Sequence, residues 1–150
     1  MGLLSRLFGG RSRQPRLSVN DPVLGAVVPG SDVDWWTATV VIDGNPIEFD
    51  IGGDVEPHPA LLARARELAG NFGPFASEVR ELLEAKAREC ADLPPEVAAE
   101  VRSLRIQSVS HFWPDRPRDG MVGFHETESG AVLWRCDVKD GHPVNLGGDT

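Results

Sequence analysis

The sequence predicts an α+β fold: an antiparallel sheet of about six or seven strands with an antiparallel helical pair packed on one face. Three observations carry that expectation. Residues 34–53, DWWTATVVIDGNPIEFDIGG, alternate apolar and polar residues around an Asp43-Gly44 dipeptide. Residues 59–90 change to the 3–4 spacing of amphipathic helices. The final third returns to alternation, punctuated by glycine-containing turns.

The hairpin is the most fully determined element. Asp-Gly tolerates the positive φ that a type I′ turn needs at both central positions. Counting outward pairs Val40 with Ile47, Ala38 with Phe49 and Trp36 with Ile51 on one apolar face. Thr37, Thr39, Glu48 and Asp50 fall on the other face, with Trp35 across from Gly52. Pro46 pairs with Val41, and its missing N–H suits a position with no further strand beside it.

Upstream, Asp21–Val28 reads as one short strand with Leu24, Ala26 and Val28 in alternation, ended by Pro29-Gly30. Downstream, Pro59 suits the first position of a helix whose stripe is Leu61, Leu62, Ala65, Leu68, Ala69 and Phe72. A break at Gly70–Pro74 leads to a second stripe of Phe75, Val79, Leu82, Leu83, Ala87 and Cys90, and the short break predicts an antiparallel pair. Glu96–Val101 adds one or two further helical turns after Leu93-Pro94-Pro95.

Strands are expected at Leu104–Trp113, Met121–Thr127, Ala131–Val138 and His142–Leu146. A three-residue loop Glu128-Ser129-Gly130 sets Phe124 opposite Trp134 and Val122 opposite Cys136. A three-residue loop Lys139-Asp140-Gly141 sets Cys136 opposite Val144 and Trp134 opposite Leu146. Two-residue loops would scatter the apolar residues over both faces.

Length and composition bound the rest. The 150 residues suit a single domain over residues 17–150, preceded by a flexible basic tail at residues 1–16. That tail carries Arg6, Arg11, Arg13 and Arg16 and no acid. The remaining residues hold 11 basic and 23 acidic side chains, so a charge of +4 is joined to −12, giving −8 overall. An acidic body argues against nucleic acid as the main partner and permits a basic protein, through electrostatic steering, although an acidic surface also simply keeps a protein soluble. No apolar run is long enough for an integral membrane segment, and the N-terminus lacks a secretory signal. Arg6 stands where a myristoylation motif wants Ser or Thr. Cys90 and Cys136 lie in no metal-like or redox spacing and read as two buried reduced thiols. The expected compartment is the cytoplasm.

No pattern defines an active site. The histidines His58, His111, His125 and His142 have no zinc-binding spacing, so no metal or cofactor is expected. A Gly-x-Ser-x-Gly elbow is absent, and neither Gly52-Gly53 nor Gly147-Gly148 is followed by a phosphate-loop lysine. His111 and His125 fall on strands expected to be neighbours, and His125 shares the second sheet face with Arg135 and Asp137. Those four residues form a candidate polar site. Trp36 and Trp134 belong to the core by the pairing above. Trp35 faces the other way and Trp113 sits at a strand end before Pro114-Asp115-Arg116-Pro117, and exposed tryptophan beside acids is what protein-binding hot spots are made of.

The ending Leu133–Gly141 (LWRCDVKDG), with Leu146-Gly147 and Asp149-Thr150, resembles the tail of an uncharacterised bacterial domain family. The opening Asp21–Gly25 (DPVLG), followed by Trp35-Trp36 and the hairpin, resembles the start of similar small domains. Some of these occur near polymorphic toxins and are thought to be immunity proteins. The resemblance spans about residues 21–150 and implies a protein-binding domain with no catalytic residue. Three functions follow in order: a non-enzymatic cytoplasmic binding protein of the immunity-inhibitor type, a small enzyme using the polar site, and a membrane-surface accessory domain using residues 1–16.

Overall fold

The computed structural model describes residues 15–31 and 34–150. The fold is α+β, with one mixed sheet of eight strands in the order β1 to β8 and three helices inserted between β4 and β5. The strands are β1 (Val19–Asp21), β2 (Gly25–Pro29), β3 (Trp35–Ile42), β4 (Asn45–Gly52), β5 (Ile106–His111), β6 (Gly120–Phe124), β7 (Leu133–Lys139) and β8 (His142–Asp149). The helices are α1 (Pro59–Gly70), α2 (Phe72–Glu89) and α3 (Pro95–Ser103). The flexible tail expected at residues 1–16 lies, up to residue 14, outside the described residues.

The β3–β4 hairpin has every pairing its sequence predicts, from Trp35 opposite Gly52 to Ile42 opposite Asn45. Its turn holds Asp43 at φ 51° and Gly44 at φ 80°. Pro46 opposes Val41, while β5 joins β4 only from Glu48 onward, so no strand seeks an N–H at the proline.

Four expectations need correction. The sheet has eight strands, because Asp21–Val28 is not one strand but the end of β1, a turn and most of β2 in a small hairpin. The Asp21 carboxylate accepts from the N–H groups of Val23 and Leu24, both at 2.9 Å, and Gly25 takes φ 74°. That turn reverses the chain and brings Val27 to the inner face, leaving Val28 about half exposed.

Second, β4 and β5 run parallel, so the sheet is mixed. The three-helix insertion is a crossover long enough to return β5 alongside β4 in the same direction, which no hairpin could do.

Third, α1 and α2 are separated only by Asn71, too short a link for a helical hairpin. The close helical neighbour of α2 is α3, and α1 touches α2 far less. Fourth, the β7–β8 connection is a two-residue turn, with Asp140 at φ 52° and Gly141 at φ 84°. A bulge between Asp137 and Val138 then absorbs Val144 as an extra residue. The expected pairs shift by two residues: Cys136 stands opposite Leu146 in place of Val144, and Trp134 opposite Gly148 in place of Leu146.

One row crosses seven strands: Val27, Ala38, Phe49, Val109, Val122, Cys136 and Leu146, each paired with the next and all buried. The helices cover this face with Leu61, Ala65 and Leu68 of α1, Phe72, Val79 and Leu83 of α2, and Val101 of α3. Phe72 meets Phe49 edge-on with ring centres 6.2 Å apart. Removing a side chain such as that of Phe49 would cost about 3–5 kcal/mol. The two cysteines are free and buried, and burial pushes the Cys136 thiol up to about 11.

Candidate functional site

The opposite sheet face is left open by the helices. Its central row runs Thr37, Asp50, Ser110, Met121, Asp137 and Asn145, paired strand to strand. The hydroxyls of Thr37 and Ser110 donate to the two oxygens of Asp50, at 2.9 and 3.1 Å, holding that carboxylate in place. Ser110 therefore has a carboxylate as partner and no histidine, and it is not poised as a nucleophile.

One end of this face is aromatic. Trp35, the first residue of β3, lies 5.8 Å from Phe112, which in turn meets Trp113 edge-on at 6.5 Å. Arg116 stacks over the Trp113 ring at 5.3 Å, a cation–π contact. Backbone bonds from Arg116 N–H to the Trp113 carbonyl and from Asp119 N–H to the Arg116 carbonyl close the turns that hold this loop. Gly52 makes the close approach possible, since a Cβ there would stand 3.3 Å from Phe112 Cα and 3.0 Å from Leu61 Cδ1. Trp35 and Trp113 remain 38% and 37% exposed. Asp50 sits two residues before Gly52 on the same face, within diagonal reach of Trp35. Phe112 joins the ladder unforeseen, although its even spacing from Ser108 and Ser110 places it on this face.

The candidate polar site does not assemble. His111 is fully buried on the helix-covered face, where Ile51 is its partner in β4. His125 lies beyond the other end of β5, its N–H bonded to the Arg105 carbonyl at 2.9 Å. Six strand residues at about 3.3 Å each separate the two histidines by roughly 20 Å. Arg135 and Asp137 share the open face, but Arg135 pairs with Asp149 at 2.9 Å, both about half exposed, a contact worth little.

Two clefts of about 530 Å³ meet at His125 and Arg105. One is largely apolar, lying between α2 and the β3–β4 turn and lined by Ile42, Ile47, Ala76 and Leu83. The other is acidic, with Glu96, Glu100, Glu126 and Glu128. Glu100 accepts from Thr127 Oγ1 (2.7 Å), Ser129 Oγ (3.1 Å) and Trp134 Nε1 (3.2 Å). These bonds, that of Thr127 foremost, hold its carboxyl below the ordinary range. It is a structural acceptor, tying the β6–β7 loop to α3. Among the described residues no group of three or more His, Cys, Asp or Glu side chains is placed to hold a metal ion. No described helix is long and apolar enough to cross a membrane.

No family model, curated protein or solved structure matches this chain.

Proposed function

We propose that this chain is a non-enzymatic protein-binding domain of the immunity-inhibitor type, whose open sheet face receives a basic protein partner. The observation that carries the reading is the half-exposed ladder Trp35–Phe112–Trp113 at the end of a sheet face bearing Asp50, Glu48 and Asp137. Aromatic anchors supply most of the binding energy at such surfaces, and surrounding carboxylates select a cationic partner and speed its approach. The net charge of −8 acts in the same direction. Two buried free thiols suit a reducing compartment such as the cytoplasm.

The test is affinity capture from the native lysate at low and high salt, with the wild type beside a Trp35→Ala/Trp113→Ala variant of matched thermal stability. A basic protein held by the wild type at low salt, lost at high salt and lost by the variant, is the expected result. Equal retention by both chains, or nothing retained by either, would sink the proposal.

A further inference from the structure

A third cleft, on the helix-covered side, is independent of the aromatic face. It encloses about 230 Å³ between α1, the start of α2, the β5–β6 loop and the β7–β8 turn. Its polar walls are Arg64, Glu67, Asn71, Glu78, Arg118 and His142.

Arg64 is 7% exposed, an uncommon position for a guanidinium. It occupies the inner stripe of α1 beside Leu61, Ala65 and Leu68. Its Nε has no hydrogen-bond partner. The group behind it brings no compensation: His111 is fully buried, both its ring nitrogens lack partners, and it is held neutral at ordinary pH. Burying a cation is costly unless it is well paired.

The pairing Arg64 has is loose. Its Nη1 lies 3.3 Å from Glu67 Oε1, and Arg118 Nη1 approaches the same oxygen at 3.5 Å. Charge-assisted bonds normally close to about 2.7–2.9 Å. The Glu67 side chain is itself 60% exposed, so its carboxylate is free to leave. Arg118 is braced from behind: its carbonyl accepts from Gly141 N–H at 2.8 Å, and Asp140 lies 3.8 Å from its Nε. A Cβ at residue 141 would come within 2.5 Å of Arg118 Nη2, so Gly141 also leaves room for the guanidinium. Across the cleft the Glu78 carboxylate is in hydrogen-bond contact with the His142 ring at 3.1 Å.

Two guanidiniums thus converge on one carboxylate oxygen, with donors to spare. We infer that this cleft binds a small anion bearing a carboxylate or phosphoryl group, gripped by Arg64 and Arg118, and that Glu67 occupies the place until the ligand displaces it. Several ligand oxygens can meet the two forks where Glu67 offers one. The volume falls below that of drug-sized sites, which limits the ligand to a few heavy atoms inside the cleft.

The experiment titrates the full chain with inorganic phosphate and, separately, with acetate, against sodium chloride at equal ionic strength. It follows the arginine side-chain N–H resonances by NMR. Glu67→Gln removes the internal competitor, so its apparent affinity should rise about tenfold over the wild type. Arg118→Ala, at a half-exposed position, should weaken binding at least about tenfold while the fold is kept. Which of the two anions saturates the Arg64 resonance identifies the headgroup. Equal affinity in the wild type and Arg118→Ala, no gain in Glu67→Gln, or a chloride response matching that of both anions would each overturn the assignment.

Discussion

Replacing His111 with leucine tests how the buried polar layer under α1 is energised. The imidazole is fully buried, and the Asp119 carbonyl approaches it without reaching hydrogen-bond geometry. Burial, and after it the charge of Arg64, lowers its pKa from 6.5 to about 4. In the unfolded chain the same group takes up its proton near 6.5. Between those values the unfolded state binds more protons, so the wild type loses stability as pH falls. At 1.36 kcal/mol for each pH unit between the two values, the loss reaches about 2.5 kcal/mol at pH 4.5 and levels off near 3 kcal/mol. His111→Leu has no such group. It also removes two orphaned nitrogens from the core, so at pH 7 it should be at least as stable as the wild type and gain about 1–2 kcal/mol. Urea denaturation of both chains at pH 7 and about pH 4.5 measures the difference directly. The advantage of the leucine variant should widen by about 2.5 kcal/mol on acidification, and common carboxylate effects cancel in the comparison. An advantage that stays constant between the two pH values would refute the reasoning.

Asp21→Asn should cost about 2 kcal/mol at pH 7 by chemical denaturation, because charge-assisted bonds to Val23 and Leu24 become neutral ones. Burial raises the Asp21 pKa, but the Arg66, Leu24 and Val23 hydrogen bonds together outweigh it and leave it below 3.8; its contribution is present above that value and fades as pH falls through the folded pKa. An Asn variant with wild-type stability at pH 7 would contradict this. Gly120→Ala should lose about 3 kcal/mol or fail to accumulate as folded protein, since the new Cβ would lie 2.2 Å from the Ser110 carbonyl oxygen and 3.2 Å from His111 Nδ1. A melting temperature within about 2 °C of the wild type would show that the β5–β6 contact gives way easily. Glu100→Ala should shift Trp134 fluorescence and cost about 1 kcal/mol, as the indole N–H, Thr127 and Ser129 lose a shared acceptor. Unchanged emission would mean that the carboxylate does not restrain the β6–β7 loop.

What the sequence determines by itself here is local. Asp43-Gly44 dictates the turn, the turn dictates the register, and alternation then dictates which hairpin residues are dry; all of this follows from φ preferences and a two-residue period. The inner stripes of α1 and α2 follow in the same way; Val122 does oppose Cys136, although β6 ends at Phe124 and β7 begins at Leu133, so the expected three-residue loop is not what joins them. Trp35 keeps the exposed position that alternation assigns it, and Trp113 is exposed beyond the end of β5. The tertiary structure decided what depends on partners distant in the chain. The parallel pairing of β4 with β5 is set by how three helices carry the chain back, and no strand records its neighbour's direction in its own residues. The inward turn of Val27 rests on the Asp21 cap, and the two-residue turn at Asp140 is workable only because a bulge at Val144 restores the parity. His111 and His125 stand on adjoining segments, yet a strand's length separates them, because sequence alternation fixes a face and leaves the position along it to the pairing. Arg64 reads as one more charge on a helix surface until β5 and the β5–β6 loop close around it; burial belongs to the assembled layers and is written in no single segment.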